Sequence, residues 1–185
     1  MHDLLDLPKN LVGLGNILKF LEVWQRWRGE RPIPTRDDVR PEMLGASITG
    51  ITVFEVKSPD QIFYRKPCSL LDDLRRPGVT GKNYIDMAPP EQRQIRISRL
   101  NNVLNLPCGG LGWIKSVLSD GVSMDTQTLL LPVAGNGPTD HGFIYVGADV
   151  ISDKTWSRDA RFETAPVATR FEYVDIGFGL PDDPR

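Results

Sequence analysis

Between residues 10 and 28, Leu14, Ile17, Leu18, Leu21 and Trp24 fall at helical spacing, and Phe20, Trp24 and Trp27 widen the apolar face sideways. Asn16, Lys19, Glu22 and Arg26 form the polar stripe. The pattern predicts a helix over 10–28. Arg26 and Arg28 suit the negative end of its dipole, Gly29 suits the left-handed position after its last turn, and Pro32 bars continuation. The apolar face is wider than one packing partner normally needs. It either covers an exposed sheet or also meets a second subunit. The expected interface residues are Phe20, Trp24 and Trp27.

Residues 33–47 read as a connector, with Thr35 and Asp38 spaced as a capping box and Pro41 opening a short turn that ends near Gly45. Ile48 to Val56 and Ile62 to Lys66 are strand-like and flank the turn Ser58-Pro59-Asp60. Ser69 begins a turn of helix through Leu70, Leu71 and Leu74. Pro90 opens a longer helix with Ile97, Leu100, Val103 and Leu104 on its buried face, ended by Pro107. Gly112 to Ser119 and Val122 to Pro132 flank Asp120-Gly121, the signature of a two-residue type I′ hairpin. A fifth strand runs from His141 to Val150. Residues 151–169 lack clear periodicity, and Arg170 to Ile176 is either a last strand or an extended tail.

Strands and helices do not alternate, which argues against a doubly wound parallel sheet. The order fits an α+β fold: a five-stranded antiparallel sheet with helices on one face, plus an N-terminal helix and a C-terminal extension. The corresponding division is 1–34 for helix and connector, 35–152 for the sheet domain and 153–185 for the extension.

Composition narrows the chemistry. The 185 residues carry 22 basic and 24 acidic side chains, a balance that makes no electrostatic case for nucleic acid. A chain of this size buries roughly 70% of its unfolded surface and needs no metal or disulfide scaffold. Cys68 and Cys108 form no C-x-x-C pair and are expected as thiols. His2, Asp3 and Asp6 replace the positive start of a signal peptide, and no apolar run approaches the ~20 residues that span a bilayer. A soluble, cytoplasmic protein without membrane contact is expected.

Catalytic signatures are missing from the sequence. No serine sits in a G-x-S-x-G elbow, no H-E-x-x-H exists, and two histidines with two cysteines at these spacings cannot build a four-ligand zinc site. Gly109-Gly110-Leu111-Gly112 lacks the following Lys-Ser/Thr of a phosphate loop and reads as a turn. Asp72-Asp73 and Asp182-Asp183 read as solvated carboxylates. Neither catalytic nor metal-binding residues are assigned.

Several short motifs together resemble a family of stand-alone bacterial PAS proteins: Trp24, Arg28-Gly29, Pro34, Arg36, Asp38 and Pro41, then Tyr64-Arg65, Thr80-Gly81-Lys82, Leu130-Leu131-Pro132 and the tail Tyr173 to Gly177. The likeness spans roughly residues 20–150. It departs at Lys66-Pro67-Cys68-Ser69, where the family's turn contains glycine. The resemblance implies a pocket between sheet and helices, and a signal passed to a protein partner or across a homodimer built on the N-terminal helix. It implies a non-enzymatic sensory or regulatory module binding a small molecule. Ligand-facing candidates are Tyr64, Arg65, Tyr84, Trp113, Gln127 and Tyr145, with Arg65 foremost because a guanidinium can clamp an anion bidentately. No cofactor is expected: the helix from 90 to 105 has no histidine for haem, and neither cysteine stands in the Asn-Cys-Arg type motif of flavin photosensors. Two alternatives stand beside this reading. One is an α+β cone-fold enzyme or carrier using Asp125 or Asp149 as a pocket carboxylate. The other is a ligand-free adaptor.

Overall fold

The computed structural model describes residues 15–75, 78–137, 140–163 and 166–182. Helix α1 runs Gly15–Arg28, and a 3-10 turn Arg36–Asp38 and 3-10 segment Pro41–Gly50 lead into β1 (Ile51–Ser58) and β2 (Gln61–Lys66). Helices α2 (Ser69–Leu74) and α3 (Pro90–Asn105) precede β3 (Gly109–Val117), β4 (Ser123–Val133), β5 (Phe143–Val150) and β6 (Val167–Val174). Residues 10–14 of the expected first helix lie outside the described residues. Gly29 takes φ +57°, and its N–H returns to the Gln25 carbonyl at 3.1 Å, as expected where the helix stops. The Thr35–Asp38 box also forms: the Asp38 carboxylate accepts from the Thr35 N–H at 2.8 Å and from its hydroxyl at 2.7 Å.

The strands form one antiparallel sheet in the order β2-β1-β5-β4-β3-β6. The sheet thus has six strands where five were expected. The sixth comes from the supposed C-terminal extension, which pairs along β3 from Gly109↔Val174 to Lys115↔Val167. The segment 109–112 is correspondingly strand, not turn. Its glycines admit the neighbouring strand: a Cβ on Gly110 would stand 2.6 Å from the Phe171 ring. β1 begins at Ile51, not Ile48, because helical turns continue through Gly50.

The β3–β4 hairpin forms, with a different turn. Among the described residues no non-glycine has positive φ, so Asp120 does not occupy a type I′ position. Instead the Gly121 N–H bonds the Leu118 carbonyl at 2.8 Å, and the Leu118 N–H bonds Val122 at 2.9 Å. This is a three-residue loop with Gly121 alone left-handed, at φ +80°. Asp120 accepts from the Val122 N–H at 3.2 Å and the Ser157 N–H at 2.8 Å, and these bonds hold its carboxyl below the ordinary range.

Alternation along the strands sends side chains to two covered faces. On one face, Ile51, Val53, Leu111, Leu129, Leu131 and Val133 meet Ile17, Phe20, Leu21, Trp24 and Trp27 of α1. On the other, Phe54, Val56, Ile62, Tyr64, Leu130, Ile144 and Val146 meet Leu100 and Val103 of α3. The helices therefore lie on both faces, with α1 and the 3-10 segment Pro41–Gly50 on one side.

The wide face of α1 is taken up within the chain. Phe20 and Trp24 are fully buried and Trp27 is 4% exposed, which corrects their assignment as surplus interface residues. The tail assists, since Val174 and Ile176 join the same cluster and Arg28 donates to the Ile176 carbonyl at 3.1 Å. The Trp24 indole donates to the Pro132 carbonyl at 2.9 Å, so its one polar atom is satisfied in the core.

Candidate functional site

The α3 side of the sheet does not close completely. A cavity of about 160 Å³ lies between β1, β3, β4 and β5 on one side and α2, α3 and the segment around Tyr84 and Met87 on the other. Its apolar wall includes Phe54, Leu71, Met87, Leu100, Leu130 and Val146, and Thr52, Ser116, Thr126 and Thr128 supply hydroxyl-bearing strand positions. On β4 the small residues explain the space. Thr126 and Thr128 stand on the face where Leu130 also points, two and one alternation steps from it.

Two guanidinium groups face this space. Arg75 follows the last turn of α2, and Arg96 lies on α3 one turn before Leu100. Arg96 is 8% exposed, stacks 4.5 Å over the Tyr84 ring and donates to the Pro166 carbonyl at 2.6 Å. Arg75 sits 5.3 Å over the Phe162 ring. No aspartate or glutamate lines the cavity, and neither arginine forms an ion pair among the described residues. Burial lowers the Arg75 pKa from its ordinary value; the Tyr64 oxygen opposes this, and Arg96 adds to it.

An aromatic group adjoins the arginines. Tyr64 and Tyr84 are edge to face at 5.7 Å, and Phe54 lies 4.8 Å from Tyr64 and 4.9 Å from Tyr84. Burial pushes the Tyr64 phenol well above its ordinary value, Tyr84 adds to this, and Arg75 and Arg96 act in the opposite direction. Tyr64 is therefore a neutral hydroxyl at physiological pH.

The structure divides the six ligand-facing candidates. Tyr64 and Tyr84 line the cavity. Arg65 is exposed and outside it, because neighbouring strand residues point to opposite faces. Trp113, Gln127 and Tyr145 belong to the α1 face. Trp113 carries Arg170 4.4 Å over its ring, Gln127 alternates with Leu129 and Leu131, and Tyr145 meets Trp27 edge to face at 5.7 Å. The two enzymatic candidates stand elsewhere too. Asp149 caps α1, accepting from the Ile17 N–H at 2.9 Å and the Asn16 N–H at 3.2 Å. Asp125 is half-buried beside Ser152, outside the cavity.

Sequence reasoning missed Arg75 and Arg96, although spacing marks both. Arg96, Leu100 and Val103 follow i, i+4, i+7 on α3, and Arg75 is four residues after Leu71. A charge sharing a buried stripe is the readable signal. Cys68 lines the same cavity and its N–H donates to the Thr52 hydroxyl at 3.0 Å, while Cys108 is buried elsewhere; both are free thiols. Burial pushes the Cys108 thiol up to about 11.

The family model for the PAS domain matches residues 16–144, more than half of the chain. The chain belongs to the PAS domain family. The match runs from α1 to the first residues of β5, and the rest of β5 and all of β6 lie beyond it. Among solved structures, a variant of RsLOV is similar at 13% identity and a TM-score of 0.39, covering 58% of this chain and 63% of that one. The chain thus spans less than two thirds of that structure's length. No curated protein matches. Among the described residues, no helix is long and apolar enough to cross a membrane.

Proposed function

We propose that this PAS protein is a non-enzymatic sensory or regulatory module of bacterial, cytoplasmic signal transduction. It binds a small molecule between the sheet and α2–α3 and reports occupancy to a protein partner. The observation that carries the reading is the cavity itself, bounded by Arg75 and Arg96 and lined largely by apolar side chains. A filled adaptor core has no use for this arrangement, which leaves Arg96 buried without a carboxylate among the described residues. A pocket-carboxylate enzyme fits less well, because Asp149 is engaged by the α1 backbone on the other side of the sheet.

A neutral probe of single-ring size tests the cavity. A void of about 150 Å³ lined by apolar side chains accepts benzene. Toluene should shift the methyl NMR signals of Leu100, Leu130 and Val146, which line the cavity, and leave those of Leu129 and Leu131 in place. No saturable shift, or shifts confined to the α1 face, would refute the site.

A further inference from the structure

We infer that the cavity's ligand is a small amphipathic carboxylate: an anionic head held by Arg75 and Arg96, with a body no larger than about one ring against Phe54, Leu100 and Val146. This inference rests on the cavity being a binding site and adds the ligand's chemical class.

Charge carries the argument. Two guanidinium groups border one cavity, and among the described residues no acidic side chain lines it. Taking a guanidinium out of water is unfavourable unless an anion and further hydrogen bonds replace the lost solvent. Here that replacement is only partial. Arg96 gives one hydrogen bond among the described residues, to the Pro166 carbonyl, and both arginines otherwise rest on aromatic faces. Each guanidinium carries five N–H donors in a planar fork suited to a carboxylate. A single anion between them would relieve their repulsion and accept donors from both.

A second observation points into the same space. The Thr126 hydroxyl is buried, has no hydrogen-bond partner among the described residues and belongs to the β4 wall of the cavity, where the residue is 8% exposed. Leaving a hydroxyl unsatisfied in an apolar setting is unfavourable. Thr126 thus offers a further hydrogen bond to a polar atom of a bound molecule. Size and lining set the rest of the ligand: about 160 Å³ holds one ring or a short branched chain, and the apolar wall favours hydrocarbon over a polyhydroxylated body.

Calorimetric titration with benzoate and with benzamide, its neutral counterpart, tests the inference, with toluene reporting the cavity by NMR. Benzoate should bind at least tenfold more tightly than benzamide at low ionic strength. Arg75→Gln and Arg96→Gln should each weaken benzoate at least tenfold while toluene binding stays within twofold. Equal binding of benzoate and benzamide, or benzoate binding indifferent to both substitutions, would overturn the anionic assignment; retained toluene binding would then leave the cavity reading standing. Failure of all three probes would overturn both. If Arg96→Gln does not fold, Arg75→Gln decides the matter alone, because Arg75 is only half-buried and lies just past the end of α2.

Discussion

The two faces of this sheet are built from the same strands and do opposite things. On β4, Gln127, Leu129 and Leu131 face α1, while Thr126, Thr128 and Leu130 face α3. The α1 face is filled. Ile17, Phe20, Val23 and Trp24 are fully buried, Leu129 and Leu131 lie beneath them, and the indole N–H is satisfied by Pro132. The opposite face carries threonines, two arginines and a cavity. The difference separates packing from open space: one side anchors the sheet, and the other leaves a cavity.

Breaking the filled face should therefore have the largest effect. Trp24→Ala is expected to lose about 3–5 kcal/mol of unfolding free energy from the cavity it leaves. Stranding the Pro132 carbonyl adds to that loss. Urea denaturation measures it, and a loss below ~1 kcal/mol would show that the α1 face is not the anchor. A paired comparison is sharper. Leu129→Ala should cost about 4 kcal/mol and Leu130→Ala nearer 2, within the range for buried leucine truncation. Leu129 is fully buried, whereas Leu130 already borders empty space and forfeits fewer contacts. Equal losses would erase the contrast between the faces.

Much of this architecture was readable from local signals. Gly29 and Pro32 ended α1, Thr35 and Asp38 formed their box, and the spacing of Leu100 and Val103 gave the buried stripe of α3. What local signals lack is the other side of a contact. The breadth of Phe20, Trp24 and Trp27 was visible, but whether a sheet or a second subunit covered them depends on where distant strands lie. β6 was missed as a sheet member because its pairing needs Gly110 and Phe171, residues far apart in the chain, to share one space. The site was half legible. Tyr64 and Tyr84 are legible as aromatics beside a pocket, whereas Arg65 falls on the wrong face because strand parity alone does not say which side is covered, and Arg96 is hidden as a charge on a buried helical stripe.

Asp149 belongs to the α1 face. It lies on β5, yet its carboxylate serves the Asn16 and Ile17 N–H groups of α1. Asp149→Ala should lose about 1–2 kcal/mol, the range for a lost helix cap, and Asp149→Asn less, because the amide oxygen still accepts. Denaturation of both variants with toluene titration checks the separation. Toluene affinity should remain within twofold of wild type; a tenfold loss would place Asp149 in the ligand site instead.

The smallest expected effect differs in sign between two threonines on one wall. Thr52 and Thr126 both line the cavity and are similarly buried, at 6% and 8% exposure. The Thr52 hydroxyl accepts from the Cys68 N–H at 3.0 Å, whereas that of Thr126 has no partner. Valine replaces the hydroxyl with a methyl group at nearly the same volume. Thr52→Val strands a buried N–H and should cost about 1–2 kcal/mol. Thr126→Val removes an unsatisfied group and should stabilise the ligand-free protein by about 1 kcal/mol. Thermal unfolding of the two variants, purified without added ligand, makes the comparison. If Thr126→Val destabilises as much as Thr52→Val, its hydroxyl is already satisfied, and the cavity-facing side is less open to a polar ligand than its side chains indicate. If the signs are opposite, the gain should shrink in saturating benzoate, because a ligand oxygen bonded to Thr126 would then be lost along with the hydroxyl.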